Sequence, residues 1–415
     1  MHILPCNEAK MKEKCKMALM ISQKCKNIQP SVTLAIDSRA KQLRNMGLDV
    51  IGFGAGEPDF DTPKYIKDAA KDALDAGMTK YTPVAGTIEL RTEIQEKLLR
   101  DNNLDYELTD IIVSTGAKQS LFNALSAIID PGDEVLLPAP CWVSYPEMVQ
   151  IAGGVPVMVK GDENNGFLAS AETLEKYVTD KTKALIINSP NNPNGSVYTR
   201  DMLEKIARLA IEKRFYVISD EIYEKLIYDG EKHVSIASLS DAIKAQTIVI
   251  NGVSKSYAMT GWRIGYAAGP KPVIRAMTSF QSHTTSNPNS IAQHAAAVAL
   301  TNGERFMHES HTEFDARRKL MHSLLNAIPG LSAAMPKGAF YMMLNISGMI
   351  GKSLNGRVIK GSDDFAEMLL ESKLVAVVPA RAFGDDRYVR LSYATSREKI
   401  SVGIMRIAEF VKECK

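Results

Sequence analysis

Cysteine is scarce in this chain of 415 residues: there are five, at Cys6, Cys15, Cys25, Cys141 and Cys414. Their odd number and lack of metal-ligand spacing argue against a disulfide framework or a cysteine-built metal centre, and point to a reducing cytoplasm. Long apolar runs are also missing. No stretch approaches the ~18 residues that a transmembrane helix needs. Neither sign of charge dominates: the formal net charge is +2. That excludes a nucleic-acid or membrane surface built on bulk charge. Internal repeats and low-complexity segments are absent, and no metal site is expected.

What is present is an ordinary globular composition, 45% hydrophobic and 24% charged. The length exceeds one small core and suggests two or three domains. The first 26 residues stand apart, with six lysines, two glutamates and three cysteines. Met17–Ile21 is too short for the apolar core of a signal peptide. Residues 1–27 therefore read as an extension without fixed order, and Met17 and Met20 are alternative starts.

Between residues 110 and 270, short apolar runs alternate with helical stretches. The strand-like runs are 111–114, 134–137, 155–159, 184–188, 215–219 and 247–250. Helices are expected at 116–129, 145–152 and 200–213. Continuous apolar strands separated by helices predict an α/β domain with a mostly parallel sheet covered on both faces. After about residue 300 the texture changes to a charged helix (304–326) and short strands near 375–378 and 388–392, a smaller α+β domain. The expected division is an N-terminal segment at 28–63, a large domain at 64–300 and a small domain at 301–415. Residues 30–60, with their glycines and prolines, are expected to run between the two domains.

In such sheets ligands gather at the carboxyl ends of the strands. Lys255 stands just past strand 247–250, among small hydroxylic residues, with Arg263 eight positions on. A desolvated lysine there can attack a carbonyl to form a Schiff base, and the arginine can hold a phosphate. Aldehyde plus phosphate describes pyridoxal phosphate. Asp220 ends strand 215–219; it suits a protonated pyridine nitrogen and serves equally as a helix N-cap. Tyr223 is three residues on. Asn188–Gly195 is a kinked, proline-rich turn that aims Asn192, or simply a turn. Gly116 opens a helix at Ser114–Lys118, a candidate anion site. Trp142 follows a strand and can stack on a flat ring or fill a core. Gly52–Glu57 imitates a dinucleotide fingerprint, but the third glycine is misplaced and Pro58-Asp59 follows, so that reading is rejected.

Together, Pro30–Thr33, Ala55–Pro63, Lys80–Pro83, Gly116–Gln119, Trp142–Tyr145, Asn188–Gly195, Ser219–Tyr223, Ser254–Gly265 and Val389–Ala394 resemble the pyridoxal-phosphate aminotransferases of fold type I. The aspartate aminotransferase family, in its bacterial-type aspartate/prephenate subgroup, is the nearest pattern. The resemblance covers roughly residue 28 to the end. It implies that Lys255 binds the cofactor covalently and moves the substrate proton. Asp220 would pair with the ring nitrogen, and Tyr223 and Asn192 with the phenolic oxygen. Trp142 would stack on the ring, and Gly116, Ala117, Lys118, Ser254 and Arg263 would surround the phosphate. Tyr81 would reach the phosphate of a neighbouring subunit in a homodimer with sites at the subunit interface. Arg390 would take the substrate α-carboxylate, with Gly56, Trp142 and Asn192 close by.

The animal-type subgroup adds an arginine for the distal carboxylate, and residues 276–300 contain none. In the bacterial type, Lys118, Ser31 and Thr33 match the residues that do this work. The implied activity is ping-pong transfer between aspartate and 2-oxoglutarate, with prephenate or aromatic keto acids as further acceptors. A carbon–sulfur lyase on the same fold shares the early chemistry and stays open as an alternative. A DNA-binding regulator would need a domain for which the first 27 residues are too short.

Overall fold

The computed structural model describes residues 21, 22, 25, 26, 28, 30 and 32–415. Most of the expected N-terminal extension, and Ser31, lie outside the described residues. By contacts the chain divides into Met1–Pro30 and Ser31–Lys415. In the first unit, the Cys25 N–H donates to Ser22 Oγ at 3.3 Å.

The second unit contains a seven-stranded sheet: β1 (Ile111–Ser114), β2 (Glu134–Ala139), β3 (Val155–Lys160), β4 (Thr182–Asn188), β5 (Tyr216–Asp220), β6 (Thr247–Gly252) and β7 (Gly265–Ala268). Their spatial order is β1-β7-β6-β5-β4-β2-β3. The pairs among β2 to β6 are parallel, whereas β7 runs antiparallel to both β1 and β6. Six of these strands fall on the apolar runs of the sequence. β7 was not anticipated, because Gly265-Tyr266-Ala267-Ala268 is short and glycine-led. Alternate residues explain the layering. Ile111 and Val113 pack into one buried cluster and Ile112 into another, so both faces are covered. Each fully buried Ile or Val is worth about 1.5–3 kcal/mol relative to exposure.

Helix α1 (Val32–Asn45) occupies the stretch expected to be a mere connection. Only one residue of α1, Ala40, is buried, and Ile36 and Leu43 pack beside it at helical spacing. Helix α2 (Ile88–Asn102) begins at Thr87, whose hydroxyl accepts from the Leu90 N–H. Helix α3 (Ala117–Ile128) follows β1, and α4 (Ser144–Ala152) follows β2. Beyond residue 300 a four-stranded sheet combines β8 (Ser332–Ala333), β9 (Tyr341–Asn345), β10 (Val378–Pro379) and β11 (Tyr388–Ser392), in the order β10-β11-β9-β8. Its buried cluster includes Phe340, Leu344, Leu391 and Phe410, and reaches Phe53 and Tyr223. Among the described residues no helix is long and apolar enough to cross a membrane.

Candidate active site

The carboxyl ends of β4, β5 and β6 open on one cavity of about 440 Å³. Register puts Asn188 beside Asp220 and Asp220 beside Ile250. The chain beyond each strand end then supplies Asn192, Tyr223 and Lys255. Thr33, Gly56, Ala117, Lys118, Trp142, Asn192, Asp220, Tyr223, Ser254, Lys255, Arg263 and Arg390 all line this cavity.

Lys255 Nζ donates to the Gly56 carbonyl at 2.5 Å. Burial lowers its pKa to about 8, aided by the charges of Arg263 and Arg390 and opposed by Glu57 and Asp220. A fraction of the amine is therefore neutral near physiological pH, as a nucleophile requires. Asp220 is 4% exposed. Its carboxylate accepts from the Tyr145 hydroxyl at 2.7 Å and from the Ile222 N–H at 3.3 Å. Both donors are neutral, and burial raises its pKa to about 6. Tyr223 and Tyr341 share a hydrogen bond between their hydroxyls at 3.0 Å.

Arg390 comes from β11 and is buried. It donates to Asn192 Oδ1 at 3.1 Å and to the Gly54 carbonyl at 2.8 Å. Its guanidinium lies 4.4 Å from the centre of the Tyr341 ring. Arg390 Nε has no hydrogen-bond partner among the described residues. A buried, unused guanidinium donor is costly and suits an incoming carboxylate.

Gly116 caps α3 with φ +84°. A Cβ there would lie 2.3 Å from Arg263 Nη2, so any other residue would push the guanidinium from its place across the helix start. Gly265 makes a second close approach: its Cβ would meet the Ala117 nitrogen at 2.1 Å. Arg263 itself holds φ +56°, a conformation that costs a non-glycine residue about 1–3 kcal/mol. Helix start, dipole and guanidinium converge on an anion-binding corner. Lys118 Nζ sits 4.7 Å from the centre of the Trp142 ring, its pKa lowered by burial and by Arg263.

Two expected residues lie elsewhere. Gly116 stands behind Arg263 and does not line the cavity. Tyr81 is 91% exposed and does not line it either. Several lining groups were not anticipated. Tyr145 and Tyr341 reach Asp220 and Tyr223 from 75 and 118 residues away in sequence. Glu57 accepts from the Thr260 hydroxyl at 2.7 Å. Tyr145 sits in the same Trp142–Tyr145 stretch that drew attention to Trp142, three residues on, which is the one signal that pointed to it. The rejected Gly52–Glu57 fingerprint is the crossing on which Lys255 and Arg390 rest.

Comparison with known proteins agrees with this geometry. The family model for aminotransferase class I and II matches residues 48–407. The aspartate aminotransferase of Bacillus sp. strain YM-2 is 48% identical over 95% of this chain and 100% of its own. A probable aspartate/prephenate aminotransferase of Aquifex aeolicus is 46% identical over 95% and 99%. The Thermus thermophilus aspartate aminotransferase, solved with maleate, superposes with a TM-score of 0.89 and 45% identity, covering 94% of this chain and 100% of that one. With the match spanning both sheets and the strand-end residues gathered on one cavity, this chain belongs to the class I and II aminotransferases.

Proposed function

We propose that this chain is a pyridoxal-phosphate-dependent aminotransferase acting on aspartate and 2-oxoglutarate. The carrying observation is the pairing, in one cavity, of a lysine whose pKa burial lowers to about 8 with a buried carboxylate that has only neutral hydrogen-bond donors. The cofactor fits on three counts. Asp220 suits a ring cation, the Gly116–Arg263 corner suits a phosphate, and the Trp142 indole lines the same space. When bound, pyridoxal phosphate supplies an electron sink for charge that develops at the substrate Cα.

The chain's own residues do the rest. Lys255 would hold the cofactor and would carry the proton to and from Cα. Asp220 would favour a protonated ring nitrogen. Tyr223 and Asn192 would hydrogen-bond the phenolic oxygen. Ala117, Lys118, Ser254 and Arg263 would hold the phosphate. Arg390 fixes the α-carboxylate with two parallel hydrogen bonds, and Gly56 leaves room beside it. Two half-reactions share this one cavity, giving ping-pong kinetics.

Lys118 with Thr33 is our candidate for the distal carboxylate. Maleate, a dicarboxylate, is present in the Thermus thermophilus neighbour. Prephenate enters as a further acceptor through the name of the Aquifex aeolicus relative. The lyase alternative gains no support from these three relatives, each named an aminotransferase. The proposal includes a homodimer in which exposed Tyr81 serves the neighbouring site. It also includes a cytoplasmic location, which suits the free thiols of Cys141 and Cys414.

Borohydride reduction of the loaded enzyme, followed by peptide mass spectrometry, tests the central assignment. The expected adduct is on Lys255, and an adduct on another lysine overturns it. A panel of amino donors and keto acids tests substrate choice, with acidic pairs expected to turn over fastest. Mixing Lys255→Ala chains with Tyr81→Ala chains is expected to raise activity above that of either variant alone, because a hybrid dimer holds one site with Lys255 and Arg390 from one chain and Tyr81 from the other; a fully active monomer in sedimentation overturns the shared site.

A further inference from the structure

The Tyr145 side chain is 2% exposed and opens helix α4. As a core residue it needs only its ring; a phenylalanine or leucine would bury as much apolar surface without a hydroxyl to satisfy. A buried hydroxyl without a partner costs about 1–3 kcal/mol. Here the partner is Asp220 Oδ2 at 2.7 Å, a short bond of the kind made to a carboxylate. The same ring meets Trp142 edge-on, with centroids 5.4 Å apart at 89°. The Tyr145 N–H also donates to the Trp142 carbonyl at 3.0 Å, so one turn of backbone fixes the spacing of the two rings. One residue thus touches two others that line the same cavity.

We infer that Tyr145 is a positioning residue, setting the Asp220 carboxylate and the Trp142 indole together for the cofactor ring. This rests on the reading that pyridoxal phosphate binds this cavity. The hydroxyl favours ionised Asp220 over neutral Asp220, because it donates to the charged form. Tyr145 keeps its own proton, since burial and the neighbouring Asp220 charge raise its pKa well above that of a free phenol. Other groups also bear on Asp220. The Ile222 N–H favours the anion, Glu221 disfavours it, and Lys255 favours it. None of these contacts Trp142 as Tyr145 does. The hydroxyl acts on charge and the ring acts on geometry, so the two contributions separate by substitution.

The test compares wild type with Tyr145→Phe, which keeps the edge contact and removes the hydroxyl, and with Tyr145→Leu, which removes both. Pyridoxal phosphate affinity is measured by equilibrium dialysis from pH 5 to 9, alongside kcat and KM for the amino donor. In Tyr145→Phe the cofactor affinity near neutrality is expected to fall about tenfold, from loss of a hydrogen bond to a charged group. The pH midpoint of binding is expected to move upward, because Asp220 ionises less readily, while KM for the amino donor is unchanged. Tyr145→Leu is expected to lose further affinity with no further movement of the midpoint. Wild-type affinity and an unmoved midpoint in Tyr145→Phe overturn the inference while leaving the cofactor assignment intact. Failure of the wild-type chain to bind pyridoxal phosphate overturns both. If Tyr145→Leu does not fold, Tyr145→Phe decides alone.

Discussion

Asp220 and Glu224 are buried carboxylates four residues apart, and their surroundings push them in opposite directions. Asp220 is held by a hydroxyl and a backbone N–H, and burial raises its pKa to about 6. Burial acts on Glu224 too, but the charge of Lys97 leads a group of neighbours that overcome it and bring the pKa down to about 2. Lys97 is itself 2% exposed, forms an ion pair with Glu224, and donates to Asn102 Oδ1 at 2.6 Å. Asn102 in turn donates to Glu224 Oε2 at 2.8 Å. Glu224 is complete within the chain and pins the turn to α2. Asp220 accepts hydrogen bonds only from neutral donors among the described residues, and on the proposed reading the cofactor's ring nitrogen would complete it. The difference separates a carboxylate that maintains structure from one suited to a ligand.

Four measurements break or sharpen that contrast. The largest effect is expected from Asp220→Ala. It removes the counter-charge for the ring nitrogen, so kcat falls about 10³-fold or more, roughly 4 kcal/mol, while the melting temperature of the cofactor-free protein holds within about 2 °C. A wild-type kcat reduces Asp220 to a helix cap. Lys97→Ala is the opposite experiment. It removes the main counter-charge of buried Glu224 and leaves it Asn102 and the weaker pull of His233 and Lys225, so denaturant titration is expected to show a loss of up to about 3–5 kcal/mol, with the surviving folded enzyme keeping a kcat of the same order. Equal stability would show that the pair is not what pins the turn.

The third is a pH comparison on cofactor-free protein. Asp220 has a raised folded-state pKa, so its contribution to stability is complete below 3.8 and is lost as pH rises through about 6. Glu224 has a lowered one, so its contribution is present above 4.5 and is lost as pH falls through about 2. Between pH 4 and 7 wild type is expected to lose about 2 kcal/mol relative to Asp220→Asn. Parallel pH profiles for the two proteins contradict this. The smallest effect concerns Lys118→Ala, which is expected to raise KM for aspartate and 2-oxoglutarate over that for a neutral amino acid by about 1.5–3 kcal/mol. Equal losses place Lys118 at the phosphate or in the scaffold.

The sequence was most legible where a polar residue follows a continuous apolar strand. Asp220, Lys255 and the turn carrying Asn192 were visible because a buried run that ends in a charge or an amide needs a reason. The antiparallel β7 escaped notice because two small residues and a glycine carry no apolar run. Tyr145 and Tyr341 escaped because an aromatic beside a strand reads as core until its hydroxyl partner is known, and that partner lies far along the chain. Helix α1 escaped because the glycines and prolines of residues 30–60 read as a connection, although Ile36, Ala40 and Leu43 fall at helical spacing.

The glycine-rich crossing has a consequence for how this site tolerates change. Lys255 and Arg390 rest on the main-chain carbonyls of Gly56 and Gly54. A Cβ at either glycine meets only ordinary contact distances, with nearest atoms 3.5 Å away. A backbone oxygen is present whatever the codon specifies. The two cations therefore have resting places that drift at positions 54 and 56 does not erase, and neither place carries a formal charge for a substrate to displace. Pocket shape at this crossing can therefore change by substitution while the hold on both cations stays.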